Sequence, residues 1–285
     1  MRRDASTHVG YDPTIVAATL DRILARLSAQ PDRQGAAWLV GLSGLPGSGK
    51  STFARQLAGV ANAGGVATQV LALDDFYFGR RDRMRLARGV HPLLATRGVP
   101  GTHDVALLAR TLGDLERASA CCPARIPRFD KGRDTRLPPS RWRDVGESPR
   151  LVVLEGWCVG VPAQPADALV SPLNALERDE DRNGRWRRWV NAQLADAYAI
   201  LWRQLAMLIE LEAPNYAVVA HWRNEQERAL RLSNAPRAMN GGALRRFLMH
   251  YERLSRHALR ELPARADVRI LLRDDRIVRR MVLAV

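Results

Sequence analysis

Lysine is almost missing from this 285-residue chain. Of its 44 basic residues only Lys50 and Lys131 are lysines; every other one is arginine. Arginine thus serves wherever charge alone is wanted, and a lysine in such a chain marks a site that wants a compact point charge. Cysteine is scarce too. Cys121, Cys122 and Cys158 are odd in number and form no C-x-x-C pair, so neither a disulfide framework nor a zinc site is expected, and a reducing compartment fits. No apolar run reaches the length of a membrane span. The opening Met-Arg-Arg-Asp-Ala-Ser-Thr-His lacks the apolar core of a signal peptide, so a cytoplasmic location is expected. Acids are outnumbered, 30 against 44, which leaves a net charge of +14. That surplus invites a nucleic-acid reading. The arginines are scattered among acids, however, with no ordered basic block, so the expected partners are small anionic molecules, with neither nucleic acid nor membrane among them. Nothing in the pattern bears on oligomeric state.

What is present is dominated by one stretch, Gly41-Leu-Ser-Gly-Leu-Pro-Gly-Ser-Gly-Lys50-Ser51-Thr52. Gly44 to Ser51 fits G-x-x-x-x-G-K-[ST], the phosphate-binding loop. Gly44, Gly47 and Gly49 are expected at positive φ, bringing backbone N–H groups close to phosphate oxygens. A helix starting near Lys50 adds the positive end of its dipole. Lys50 would bridge the terminal phosphates and the Ser51 hydroxyl would hold Mg²⁺. Trp38-Leu-Val-Gly-Leu reads as a buried strand entering the loop. Ser51 onward reads as a helix leaving it, with Phe53, Leu57 and Val60 on one face. The triphosphate contacts are therefore Gly44, Leu45, Pro46, Gly47, Ser48, Gly49, Lys50, Ser51 and Thr52.

Around this centre the chain reads as one α/β domain, a doubly wound, mainly parallel sheet with helices on both faces. Residues 14–29 form an amphipathic helix, and Gln30 to Gly35 link it to the first strand. Val66 to Leu73 is a strand ending in Asp74-Asp75, where open α/β sheets bind ligands; the two acids could equally cap the next turn. Residues 78–102 read as a long basic loop of lid type. Thr102 or Asp104 caps a helix to about Ala118, with Val105, Leu108, Leu112 and Leu115 inward. Ala124 to Pro127 is a short strand. Leu151 to Glu155 is a strand that delivers a carboxylate, Glu155, beside the phosphate loop. Then come a polar connection over 164–185, a long helix from Trp186 to Leu205 and a parallel strand at Ala206 to Glu212. Tyr216 to Leu232 is a helix in which Arg223 and Glu227 stand one turn apart, the spacing of a solvated ion pair. Ser233 to Gly242 is a turn, Ala243 to Leu262 a helix, and Val268 to Leu272 and Arg276 to Leu283 are terminal strands.

In this order the segments resemble the D-glycerate 3-kinase family, related to the uridine kinase and phosphoribulokinase group of P-loop kinases. The resemblance rests on the phosphate loop, Leu73–Tyr77, Arg97-Gly-Val-Pro-Gly-Thr-His-Asp104, Phe129-Asp-Lys131, Leu154-Glu-Gly-Trp157, Pro172-Leu-Asn-Ala-Leu-Glu177 and Trp222-Arg-Asn-Glu-Gln-Glu-Arg228. It implies residues 1–35 as N-terminal helix and link and 36–285 as a kinase core with lid-like insertions. It also implies an ATP-dependent kinase that uses Mg²⁺ to phosphorylate a hydroxyl of D-glycerate, giving 3-phosphoglycerate. Asp74 would be the base, with Asp75 second and Lys50 on the transferring group. Ser51 and Glu155 would hold the metal. Arg97, His103 and Asp104 would face the acceptor, and Lys131 and Arg223 would contact phosphate or substrate, with Arg228 and Arg231 as lid residues. One stretch departs from the pattern: after Lys131 the chain reads Gly-Arg-Asp-Thr-Arg-Leu-Pro-Pro. Another hydroxylated acceptor, such as a nucleoside or pantothenate, and a nucleotide-binding protein with little kinase activity are the alternatives.

Overall fold

The computed structural model describes residues 10–29, 37–232 and 241–284. In chain order it contains α1 (Pro13–Ser28), β1 (Trp38–Gly44), α2 (Lys50–Ala63), β2 (Thr68–Ala72), α3 (Arg80–Gly89), α4 (Val105–Glu116), β3 (Ala124–Ile126), β4 (Phe129–Asp130), β5 (Thr135–Arg136), β6 (Arg143–Val145) and β7 (Leu151–Gly156). There follow α5 (Ala175–Glu180), α6 (Arg185–Gln193), α7 (Ala199–Trp202), β8 (Met207–Glu212), α8 (Ala217–Leu232), α9 (Gly241–Glu261), β9 (Val268–Leu272) and β10 (Val278–Leu283).

The six-stranded sheet has the order β10-β9-β8-β1-β7-β2 and is parallel except at β10. β1 lies inside it and is buried along its whole length. Continuous apolar character, rather than alternation, is what a strand covered on both faces requires. β7 is likewise wholly buried. The register sets Ser43 opposite Gly156 on β7 and Glu210 on β8, so three strand ends converge at the mouth of the phosphate loop. Two short antiparallel pairs, β3 with β6 and β4 with β5, sit outside this sheet. The second of them carries Lys131.

The mainly parallel α/β sheet flanked by helices is the expected one, with several local differences. The basic stretch 78–102 is not a continuous loop, for it contains α3 and a 3-10 turn at Pro92–Ala95. Arg, Leu, Met and Ala are good helix formers. One of the arginines, Arg83, is completely buried, where it donates to the carbonyls of Ala95 (3.2 Å) and Phe78 (2.6 Å) and to the Asp134 carboxylate. On α2, Phe53 and Leu57 are buried as expected but Val60 is 41% exposed, and Ala61 takes the inward position. The helix expected from Trp186 to Leu205 is α6 and α7 joined by a π-helical turn, Leu194–Tyr198, and it ends at Trp202. The polar connection over 164–185 contains α5, capped by the Asn174 side chain. Of the turn placed at Ser233 to Gly242, residues 233–240 lie outside the described residues, and 241 already begins α9. The Gln30–Gly35 link and the side chain of Arg231 also lie outside them.

Candidate active site

β1 runs into the loop at Gly44, and α2 begins at Lys50. Gly47 and Gly49 have φ of +88° and +92°, a region open to glycine at no steric cost. Gly44 is a correction, since its φ is not positive. A Cβ there would lie 2.9 Å from Ser48 Oγ and 3.0 Å from Leu211, so close packing against β8 selects glycine at that place. A Cβ at Gly47 would lie 2.7 Å from that of Trp222.

Two residues outside the motif hold the loop from behind. Arg276, in the β9–β10 turn, donates from Nε to the Gly47 carbonyl (2.8 Å) and lies over the Trp222 ring (5.4 Å). Tyr11 donates its hydroxyl to the Ser48 carbonyl (2.6 Å) and stands edge-on to Phe53. Both contacts lie far apart in sequence, and no local pattern announces them.

Lys50 is buried, its Nζ 3.2 Å from the Leu45 carbonyl. Burial pushes this ammonium down from its ordinary value, while Glu155 and Asp74 pull it back up. Ser51, at the start of α2, donates to Glu155 Oε1 at 2.6 Å. Burial raises the Glu155 carboxyl against the pull of Lys50 and of this hydrogen bond. Thr52 follows on α2, its Oγ1 accepting from Arg55 at 3.4 Å.

Asp74 and Asp75 occupy a 3-10 turn, Leu73–Phe76, directly after β2. Their environments differ. Asp74 accepts from Lys131 Nζ at 2.7 Å. Burial raises its carboxyl, but Lys131, His103 and Lys50 together outweigh that and hold it below the usual carboxylate range. Asp75 accepts from the Phe129 backbone N–H (2.9 Å), and burial raises it. Lys131 is raised by its bond to Asp74.

The Arg97–Asp104 run is stitched beside this turn. Phe78 donates its N–H to the Thr102 carbonyl (2.9 Å), and Asp104 donates its own to the Phe76 carbonyl (2.7 Å). His103 is buried and stacks on Tyr77, with ring centres 4.3 Å apart. Burial pushes its imidazole down to about 4, so the ring is neutral at pH 7. Its Nδ1 lies 2.7 Å from the Tyr198 hydroxyl, which also accepts the Gly101 N–H at 3.0 Å. The other ring nitrogen, Nε2, is buried without a partner.

Asp104 is the N-cap of α4, accepting from the Leu107 N–H (2.9 Å) with one oxygen and from Arg136 (3.1 Å) with the other. Arg97 pairs with Asp134, which also holds Arg83. Arg223 donates to Gln226 (2.7 Å) and Glu227 (3.0 Å) and lies over the Phe247 ring. It is close enough to oppose the charge on Lys131. Lys50, Ser51, Asp74, His103, Lys131 and Glu155 thus form one cluster, whereas Asp75 and Asp104 are committed to backbone amides. Sequence reasoning missed Tyr198, Asp134 and Arg276. Of these only Asp134, inside the stretch that departs from the family pattern, carried a signal.

A phosphate loop on an inner strand of a parallel sheet, faced by strand-end carboxylates and a paired lysine, defines a P-loop kinase. No family model matches the chain. An uncharacterized kinase of Schizosaccharomyces pombe, mug58, is 33% identical over 245 residues, 81% of this chain and 84% of that protein. The chloroplastic D-glycerate 3-kinase of Arabidopsis thaliana is 28% identical over 202 residues, 68% of this chain and 41% of its own length. The structure of a D-glycerate 3-kinase from Cryptococcus neoformans is similar in fold, with a TM-score of 0.75 over 95% of this chain and 99% of its own at 21% identity. The chain belongs to the D-glycerate 3-kinase family and is an ATP-dependent kinase. No helix among the described residues is long and apolar enough to cross a membrane.

Proposed function

We propose that this kinase transfers the γ-phosphoryl group of ATP to a hydroxyl of D-glycerate, giving 3-phosphoglycerate. The observation that carries this reading is the position of an ionised Asp74 beside Lys131, in electrostatic reach of the phosphate-loop Lys50. Phosphoryl transfer passes through a loose transition state, so positioning and charge stabilisation matter more than strong basicity. Asp74 orients the acceptor hydroxyl and takes its proton, exchanging Lys131 for substrate as it does so. Lys131, so released, joins Lys50 in facing the charge on the transferring group. His103, neutral and within electrostatic reach of Asp74, adds no charge to the site.

Ser51 Oγ and Glu155 Oε1 are two hard oxygen donors already in contact. They suit Mg²⁺, which takes one or two protein oxygens and completes its shell with phosphates and water. Bound there, the ion would neutralise charge on the phosphates.

One observation favours a second acceptor class. The Asp134 carboxylate already occupies Arg97, the group suited to a substrate carboxylate. An acceptor that brings no carboxylate would leave this pair intact. Coupled ATP turnover with D-glycerate, L-glycerate, uridine and pantothenate, with and without Mg²⁺, separates the two. Mg²⁺-dependent turnover on D-glycerate alone is expected. Turnover on uridine but not glycerate would assign the site to the second class.

A further inference from the structure

The sheet carries a second hollow at the end opposite the phosphate loop. It encloses about 380 Å³ and opens where β8 and β9 begin, lined by Pro162, Trp202, Arg203, Leu205, Met207 and Arg265 among others. That volume is in the range of small-molecule sites. Its floor is apolar, and two arginines face one acid in its lining. Arg203 is exposed and forms no ion pair among the described residues, and Arg265 has only a 3.9 Å contact with Glu261. The one acid in the lining, Asp267, accepts the Leu208 N–H at 2.8 Å. The half-buried Trp202 lines one side of the hollow. Two guanidinium groups over an apolar floor recognise an amphiphilic anion.

The wall on one side includes Leu194 and Ala195 from the π-helical turn. π turns inside helices are frequent at functional sites. This one supplies Tyr198, whose ring meets Trp202 edge-on at 5.8 Å and whose hydroxyl holds Gly101 and His103 in the acceptor-facing run. A ligand seated on Trp202 and the turn is therefore one aromatic contact away from the groups that fix that run.

We propose that this hollow is a regulatory site for a small organic anion with an apolar body, and that its occupancy is transmitted to residues 97–104 through Tyr198. The test uses the full chain, with and without saturating ATP. Anilinonaphthalenesulfonate fluorescence is titrated and octanoate added as competitor, with melting curves checking the fold of each variant. One saturable site per chain, displaced by octanoate and not by ATP, is expected. Arg203→Glu with Arg265→Glu should weaken the dye by at least about tenfold, since charge-assisted hydrogen bonds are lost. Ala199→Trp, which fills the hollow without changing charge, should abolish binding and serves if the double reversal misfolds. Displacement by ATP, failure of octanoate to compete, or unchanged binding in the folded variants overturns the site. Hydrogen exchange reads the coupling without any knowledge of the phosphate acceptor: octanoate should slow the 97–104 backbone by at least about twofold, because Gly101 is held by Tyr198. An unchanged rate there, with octanoate bound, overturns the transmission.

Discussion

Glu210 should make this protein less stable as pH rises through neutrality. The residue lies on β8, 2% exposed, paired in register with Ser43 of the strand that enters the phosphate loop. Its Oε2 and the Ser43 Oγ are both buried and unpartnered. Burial, with Glu212 adding and Arg269 opposing, pushes the carboxyl from 4.5 up to about 8. The folded state therefore keeps a proton that the unfolded chain has already lost above its ordinary value. The Glu210 contribution to stability is fully present below pH 4.5 and falls as pH rises toward 8, by about 1.4 kcal/mol per pH unit. His103 and His250, both pushed down from 6.5 to about 4, give the opposite slope, but only below 6.5.

The informative interval thus runs from the ordinary histidine value, 6.5, to about 8, and in it Glu210 should remove roughly 2 kcal/mol. Glu210→Gln keeps the shape and removes the proton equilibrium. Urea unfolding of wild type and variant at the two ends of the interval measures the difference. The wild type should lose roughly 2 kcal/mol more than the variant. Parallel losses in the two proteins would show that Glu210 is ionised in the fold and that the reasoning from its burial is wrong.

Asp74→Asn should lower kcat by about 100-fold or more while ATP affinity, measured by calorimetry, stays within about twofold; an unchanged rate removes Asp74 from the mechanism. Arg276→Ala removes the guanidinium from the Gly47 carbonyl and from the Trp222 face. It should weaken ATP by up to roughly tenfold with kcat little changed, and equal ATP affinity would show that the loop holds its shape unaided. Gly47→Ala forces a Cβ to 2.7 Å from Trp222 at a φ of +88°; loss of nucleotide binding with the melting temperature nearly kept is expected, and binding at wild-type strength would refute the packing argument.

The β1–loop–α2 unit was legible in sequence because everything that shapes it is local: an apolar run, glycines at fixed spacing, and a helix that starts on the motif. α4 was legible for the same reason, since the Asp104 cap bonds only three residues ahead. The same local signal could not show that the second oxygen of Asp104 goes to Arg136. α3 was misread because five arginines in nine residues resemble a solvated loop. Its burial depends on Arg83 meeting Asp134, 51 residues away. Gly44 was misjudged in kind, its glycine demanded by β8 packing that becomes visible only once the strand order is known.

Composition, by contrast, carried long-range information that no spacing rule holds. The two lysines lie 81 positions apart in a chain that otherwise uses arginine, and each alters the other's electrostatic environment, Lys131 among the charges acting on Lys50. Their surroundings show why arginine does not replace them. Lys50 is buried in the phosphate loop and makes one hydrogen bond, to the Leu45 carbonyl, and a guanidinium there would bring five donors in a bulkier, fixed fork. In the proposed mechanism Lys131 lets go of Asp74 when a hydroxyl arrives. A single ammonium contact at 2.7 Å can be exchanged for a substrate oxygen at little cost, whereas a bidentate arginine would hold the carboxylate in a fixed fork.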